Sequence, residues 1–426
     1  MLKEVFNNRI NPITASDSGG YGPILRPTER EISSLRQQIF ELIRASGRIP
    51  RSSIARALNV SPGSITALTA DLIADGFIKE VEGVARETSR GRPPVALELV
   101  SNALNVVGVK LSDEKHTAIL ANFSGNVLAS TTLKVKAEQK TKSQLLADIE
   151  ILIKQLCNAS KVSQNSISAI GIGISGKVDH ETGIVAWSPL LIDTEIPLGS
   201  FFASHFGIPV CIDNDANVLT LAELWFGAGR ALNNFAVITV ENGVGMGFVS
   251  NNQLFRGDHG MGLELGHTKV QIDGALCRCG QRGCLEAYLA DYALAREAST
   301  ILGISPDEPQ ILSDTLKKLY TKAASGDPAT STIFDRAGRY LAIALSNIIH
   351  LFDPKLIILS GQPLRYDYLY SEKMLNEMRT LALNHSRYET QIEIQPWGEL
   401  VWAHGATALA HTLLTKTVIA EGRQKL

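Results

Sequence analysis

The sequence predicts a short three-helix-and-hairpin domain followed by a longer α/β region of two related lobes, with a metal knuckle in the second lobe. Three observations predict it. Residues 33–99 place three helix-like stretches ahead of two short strands. From Asn105 onward strands and helices alternate, and a three-strand meander occurs twice. Between Gly266 and Glu286, three of the chain's five cysteines fall within eight residues, ten positions after a histidine.

The elements follow from local chemistry. Residues 1–27 read as a flexible arm, because Asp17-Ser18-Gly19-Gly20-Tyr21-Gly22-Pro23 is a run of turn formers. Ser33 to Ser46 is an amphipathic helix, with Leu35, Ile39, Leu42 and Ile43 at helical spacing and Gly47 as its stop. Pro50 to Leu58 is a second helix. Ser61-Pro62 opens a third as N-cap and first-turn proline, and Gly76 ends it near Asp75. Phe77 to Val81 and Val95 to Leu99 are two strands around a loop carrying Arg86, Arg90 and Arg92. Three helices and a hairpin are the layout of a winged helix-turn-helix, assigned to residues 28–99.

In the α/β region, Val106 to Leu111, Thr117 to Asn122 and Val127 to Thr132 read as strands, with Ser124-Gly125-Asn126 as a turn. Ala236 to Val240, Gly245 to Ser250 and Gln253 to Phe255 repeat the pattern around Asn251-Asn252. Such a duplication points to two related lobes. Gln144 to Asn158 and Asp335 to Phe352 are helices between strands, and Leu356 to Leu359 is a buried strand.

Composition bounds the function. A chain of 426 residues calls for two or three domains, and 45% hydrophobic with 20% charged residues describes a globular protein. Net charge is −2, so any nucleic-acid contact must come from local patches. Met1 to Ile10 lacks the apolar core of a signal peptide, and Tyr340 to Phe352, the longest apolar candidate, is broken by Ser346, Asn347 and His350. The expectation is a cytoplasmic protein without membrane insertion, its cysteines reduced and free to hold metal.

His267, Cys277, Cys279 and Cys284 supply one imidazole and three thiolates, the closed ligand set of a structural zinc ion, one per chain. Gly274, Gly280 and Gly283 give the tight knuckle its backbone freedom. A disulfide is the competing use, but the Cys-x-Cys pair is poorly placed to bridge to itself.

In the first domain, Ser52, Ser61, Ser64 and Thr66 are short polar side chains that let a helix approach base edges, with Arg51 expected near phosphate or guanine. Arg90-Gly91-Arg92-Pro93 suits an A·T-rich minor groove. Between Thr28 and Glu98 there are ten basic and nine acidic residues, so the useful charge is local to these segments. The expected partner is double-stranded operator DNA.

Residues 103–415 resemble the ROK family, which takes its name from repressors, open reading frames and sugar kinases. The matching motifs are Gly171-Ile172-Gly173-Ile174-Ser175-Gly176, Asp213-Asn214-Asp215-Ala216-Asn217, Gly243-Val244-Gly245-Met246-Gly247, Glu264-Leu265-Gly266-His267 and the knuckle ending in Glu286. With the winged helix added, the chain is similar to the family's repressor branch. The resemblance implies an actin-like, ribonuclease-H-like fold. Lobe 1 would span 103–218, completed by a C-terminal helix at 405–426, and lobe 2 would span 219–404 with the zinc site and a dimerisation surface.

The resemblance assigns sugar contacts to Asn214, Asp215, Glu264, His267 and Glu286, and makes Asp215 the position of the base in the family's kinases. Kinases of the family carry glycine-rich phosphate loops. Here Lys110-Leu111-Ser112-Asp113-Glu114, Glu241-Asn242-Gly243 and Ser360-Gly361-Gln362 stand in their place, so catalysis is not expected. The implied function is a repressor of sugar uptake or metabolism genes, a homodimer or tetramer controlled by a sugar or sugar phosphate. The alternatives are control by a protein such as a phosphotransferase permease, and an ATP-dependent sugar kinase.

Overall fold

The computed structural model describes residues 19–24, 34–82, 95–258, 260, 262–303, 312–361, 371–383, 389–395 and 398–419. The first domain contains α1 (Leu35–Ser46), β1 (Ile49–Pro50), α2 (Arg51–Leu58), α3 (Pro62–Ala74), β2 (Ile78–Glu82) and β3 (Val95–Leu99). The cap chemistry places each helix. Ser34 accepts from the Gln37 amide to start α1, and Ser61 accepts from the Ser64 amide to start α3 at Pro62. Gly76, at φ +76°, turns the chain after α3. The strands form an antiparallel sheet in the order β1-β3-β2, over a core that includes Ile39, Ile43, Ile54, Ile65 and Leu72.

Next come β4 (Asn105–Leu111), β5 (Lys115–Asn122), β6 (Val127–Lys134), α4 (Lys142–Ser160), β7 (Ile167–Ile174), β8 (Lys177–Asp179), β9 (Ile184–Trp187), α5 (Leu198–Phe206), β10 (Val210–Asn214) and α6 (Asp215–Phe226). The meander β4-β5-β6 is antiparallel, while β7 lies parallel to both β4 and β10, giving the sheet order β10-β7-β4-β5-β6. Thr141 and Gln144 form a capping box that starts α4 two residues earlier than its apolar spacing alone suggests.

The second region contains β11 (Phe235–Val240), β12 (Val244–Ser250), β13 (Gln253–Phe255), α7 (Glu286–Leu289), α8 (Asp291–Leu302), α9 (Leu312–Ala324), α10 (Pro328–Phe352), β14 (Leu356–Gly361), α11 (Glu372–Leu381) and β15 (Gln391–Gln395). Its sheet order is β13-β12-β11-β14-β15, the same topology as the first, with β14 parallel to β11 and β15. The helix expected from Asp335 starts at Pro328 instead. Asp327 caps it and Pro328 fills its first turn, a start signal stronger than the apolar spacing that places it later.

Two compact units result: residues 1–233, 251–253 and 399–426, and residues 234–250 and 254–398. The expected lobe boundary after residue 218 falls inside α6, which belongs wholly to the first unit. The closing helix α12 (Val401–Leu414) also lies in that unit, against β4, β7 and α6. Glycines permit this closeness: a Cβ on Gly108 would sit 2.0 Å from the Ala403 carbonyl oxygen, and one on Gly405 would sit 1.8 Å from that of Val218.

Part of the expected flexible arm needs correction. Residues 19–24 are packed into the first unit, and Tyr21 is 2% exposed. The rest of the arm lies outside the described residues, as do Arg86, Arg90 and Arg92. Among the described residues, no helix is long and apolar enough to cross a membrane.

Candidate functional site

Helix α3 presents Ser61, Ser64 and Thr66 on an exposed N-terminal face, and Ser52 is exposed on α2. The Ser61 and Ser64 hydroxyls lie 2.9 Å apart, and the Thr66 hydroxyl donates to the Pro62 carbonyl. Arg51 is engaged within the domain. Its Nε donates to Thr69 Oγ1 at 2.8 Å and its guanidinium pairs with Glu80 at 2.6 Å, so it braces α3 and the hairpin. The Arg90-Arg92 loop is not among the described residues.

In the first unit, β10 ends in Asp213-Asn214 and delivers Asp215 to the first turn of α6. Asp213 is buried, accepting from the Asn214 amide and from Asn217 Nδ2 at 2.7 Å, which braces the turn from below. Asn214 is the N-cap: its Oδ1 accepts from the Ala216 amide and its Nδ2 donates to the Gly176 carbonyl at 2.7 Å. Asp215 remains 24% exposed in its side chain. Its Oδ2 accepts from Ser175 Oγ at 2.6 Å and lies 3.7 Å from the Lys110 ammonium. That ammonium in turn sits 3.9 Å over the Trp402 ring. Asp215 thus opens a helix, with one hydroxyl and one cation beside its carboxyl group.

Sequence reasoning named Asn214 and Asp215 but missed Lys110 and Trp402 as members of this cluster. Lys110 was visible only as an odd residue in a phosphate loop. Trp402 lies almost 200 residues from Asp215, with no local signal.

The second unit carries the other predicted residues. Glu264, exposed, precedes a single 3₁₀ turn, Leu265–His267. Leu263 before it adopts φ +70°, a left-handed backbone that an aliphatic residue holds only where its surroundings impose it. Glu286 begins α7; its Oε2 accepts from the Val244 amide at 3.3 Å, and its Oε1 lies 3.4 Å from the Tyr292 hydroxyl. His267 and Glu286 meet around Cys277, whose sulfur is 3.7 Å from His267 Nδ1 and 3.6 Å from Glu286 Oε1.

The ligating atoms of His267, Cys277, Cys279 and Cys284 all lie within 4.8 Å of one another. Cys279 Sγ and Cys284 Sγ are 3.7 Å apart. A disulfide needs about 2.05 Å, whereas tetrahedral bonds of about 2.3 Å to a central ion separate two sulfurs by about 3.8 Å. The knuckle is shaped by Gly283, at φ +77°, whose Cβ would meet the Gln271 carbonyl oxygen at 1.8 Å. Lys269 Nζ donates to Cys284 Sγ at 2.9 Å. Burial pushes the Cys277 thiol above its ordinary range, and the Glu286 carboxylate adds to the rise. Thiolates beside a carboxylate call for a cation at their centre, so the four residues fit a metal ion.

Comparison with known proteins gives two family matches. Residues 106–413 match the ROK family and residues 32–79 match a winged helix-turn-helix DNA-binding domain. The xylose repressor of Caldicellulosiruptor bescii is 27% identical over 351 residues, covering 81% of this chain and 87% of the relative. The DNA-binding transcriptional dual regulator NagC of Escherichia coli K12 is 28% identical over 350 residues, covering 82% and 85% respectively. Among solved structures, a ROK family transcriptional regulator described as a homolog of E. coli MLC superposes with a TM-score of 0.75 at 26% identity. The match covers 91% of this chain and 98% of that one.

Proposed function

The chain belongs to the ROK family, and from that premise we propose that it is a DNA-binding transcriptional repressor released from its operator by a sugar or sugar phosphate. One observation carries the reading. A single compact unit holds both the exposed, serine-capped helix α3 and, at the start of α6, the Asn214-Asp215 turn with its cluster of polar groups. Similarity to a xylose repressor and to a DNA-binding transcriptional dual regulator supports this reading.

In this reading Asp215 accepts from a sugar hydroxyl while Ser175 and Lys110 hold its carboxylate in place. Asn214 adds the remaining hydrogen-bonding capacity of its capping amide. Glu264, His267 and Glu286 are the other residues proposed to contact sugar. Vicinal hydroxyls suit such carboxylates, and any left unmatched would leave costly unpaired groups. His267, Cys277, Cys279 and Cys284 would hold one structural zinc ion, which fixes the ring of His267 and closes the knuckle. DNA contact falls to Arg51, Ser52, Ser61, Ser64 and Thr66, with Arg90 and Arg92 for the minor groove. Two copies of the winged helix, spaced about 34–36 Å apart, would read a two-fold operator as a homodimer.

The test is fluorescence anisotropy on DNA from upstream of its own gene and of neighbouring sugar genes, with a panel of sugars and sugar phosphates. Specific binding weakened by one compound by about 5- to 150-fold is the expected result. Specific binding that no compound disturbs would transfer control to a protein signal. Absence of specific binding to every fragment overturns the reading.

A further inference from the structure

Residues 19–24, expected to hang free, form a continuous bonded path between the winged helix and α6. The Tyr21 amide donates to the Arg44 carbonyl of α1 at 3.1 Å, and the Gly22 amide donates to the Trp225 carbonyl of α6 at 2.8 Å. The Ile24 amide donates to the Arg230 carbonyl at 2.9 Å. Arg230 closes the loop from the other side: its Nε donates to the Gly22 carbonyl at 3.0 Å and its Nη2 to that of Ala45 at 3.2 Å. The Tyr21 ring lies parallel to Phe226, meets His411 of α12 edge-on, and donates its hydroxyl to the Phe123 carbonyl at 2.7 Å. Arg44 on α1 places its guanidinium 4.2 Å from the Trp225 ring centroid.

The fit leaves little slack. A Cβ on Gly20 would lie 2.3 Å from the Ala45 carbonyl oxygen, and one on Gly125 would lie 2.8 Å from the Tyr21 ring. Phe40 stacks on Phe123 and Phe77 packs tilted against it, so the winged helix stays attached to the β5–β6 turn without these residues. The segment, together with Arg44, adds a connection to α6. That helix is buried from Ala216 to Trp225 and is about 18 Å long, a rod with Asp215 at one end and the Tyr21 contact at the other.

We propose that residues 19–24 are a built-in strap that locks α1 to the far end of α6, so that the reading helix follows the ligand end of that rod. The coupling half of the proposal rests on the reading of Asn214 and Asp215 as ligand contacts; the locking half does not. Tyr21→Ala removes the wedge, and Arg230→Met independently removes the two donors that close the strap.

Two measurements on the full chain test it. Amide hydrogen exchange without ligand or DNA is expected to quicken in α1 by about 10-fold in each variant while β4 and β7 keep wild-type protection, the sign of a sub-global opening. Operator and sugar affinities measured separately are expected to stay within about 3-fold of wild type, while release of operator by that sugar falls at least about 5-fold. Unchanged exchange in α1 in both variants overturns the strap. Quickened exchange with wild-type release overturns the coupling. Should no sugar release the wild type, the ligand reading fails by itself, and hydrogen exchange still decides whether the strap exists.

Discussion

At the scale of single residues, the junction beneath the winged helix buries an unusual amount of ionisable chemistry. Arg44 is 5% exposed, and His404 and His411 are each 1% exposed. Burial pushes His404 down to about 4; burial, then the Arg44 and His404 charges, push His411 down to about 3. Both imidazoles are therefore neutral in the folded protein at pH 7. The sign follows from linkage: the unfolded chain takes up protons near pH 6.5 and the folded one does not until about pH 4 to 3. Stability contributed by the neutral rings is complete above pH 6.5 and is lost as pH falls towards 4, at up to about 1.4 kcal/mol per pH unit per histidine. Urea unfolding at pH 7 and pH 5 should show this loss, and His411→Leu should reduce it by about half; an identical pH slope in the variant would remove His411 from the account. None of this was legible in the sequence. Tyr21 lies in a run of glycines that reads as a free arm, and its partners Arg44, Phe226 and His411 come from three distant elements. Asp215 was legible because its neighbours Asp213, Asn214 and Asn217 are adjacent in the chain and brace it locally.

At the scale of elements, the parts with local chemical signals were read closely. The serine cap and Pro62 gave α3, glycines gave the turns, and β3 spans the expected Val95 to Leu99. Helix starts shifted where a cap competed with the apolar spacing, as at Asp327-Pro328. The knuckle was legible for a different reason: its ligands are close in sequence and their chemistry admits few uses. What the sequence could not give is its surroundings, in which Lys269 reaches Cys284 Sγ across a bridge that pairs the two residues. Three thiolates around a divalent ion leave a net charge of −1, and the Lys269 ammonium offsets it. Cys277→Ser is expected to abolish stoichiometric zinc, measured by atomic absorption after dialysis, while the winged helix keeps its helical circular dichroism. Lys269→Met is expected to keep zinc but weaken it about 10-fold in chelator competition, the usual range for a partner of a metal ligand. Full zinc content in the Cys277 variant would reject the ligand set, and wild-type retention in the Lys269 variant would reject the charge argument.

At the scale of the whole molecule, the repeated strand order of the two sheets explains why a duplicated meander was enough to predict two related lobes. The limits of each unit were not readable, because α12 returns from the end of the chain to pack on β4 and α6 through glycine contacts that leave no local pattern. The same fold with glycine-rich loops handles nucleotide phosphates by offering free backbone amides. In two of the corresponding turns here, one amide is engaged internally. The Ser112 amide donates to His116 Nδ1 at 3.2 Å, and the Glu241 amide donates to the Gly243 carbonyl at 2.8 Å. Asp215 accepts from Ser175 Oγ at 2.6 Å and is faced by the Lys110 ammonium at 3.7 Å. The proposed repressor reading therefore predicts no phosphoryl transfer. The expected outcome is that a coupled assay with ATP and a panel of hexoses shows no turnover above an Asp215→Asn control, while the wild type still binds its inducing sugar in calorimetry. ATP-dependent phosphorylation that disappears in the Asp215→Asn variant would make this chain a kinase, and the bound sugar a substrate.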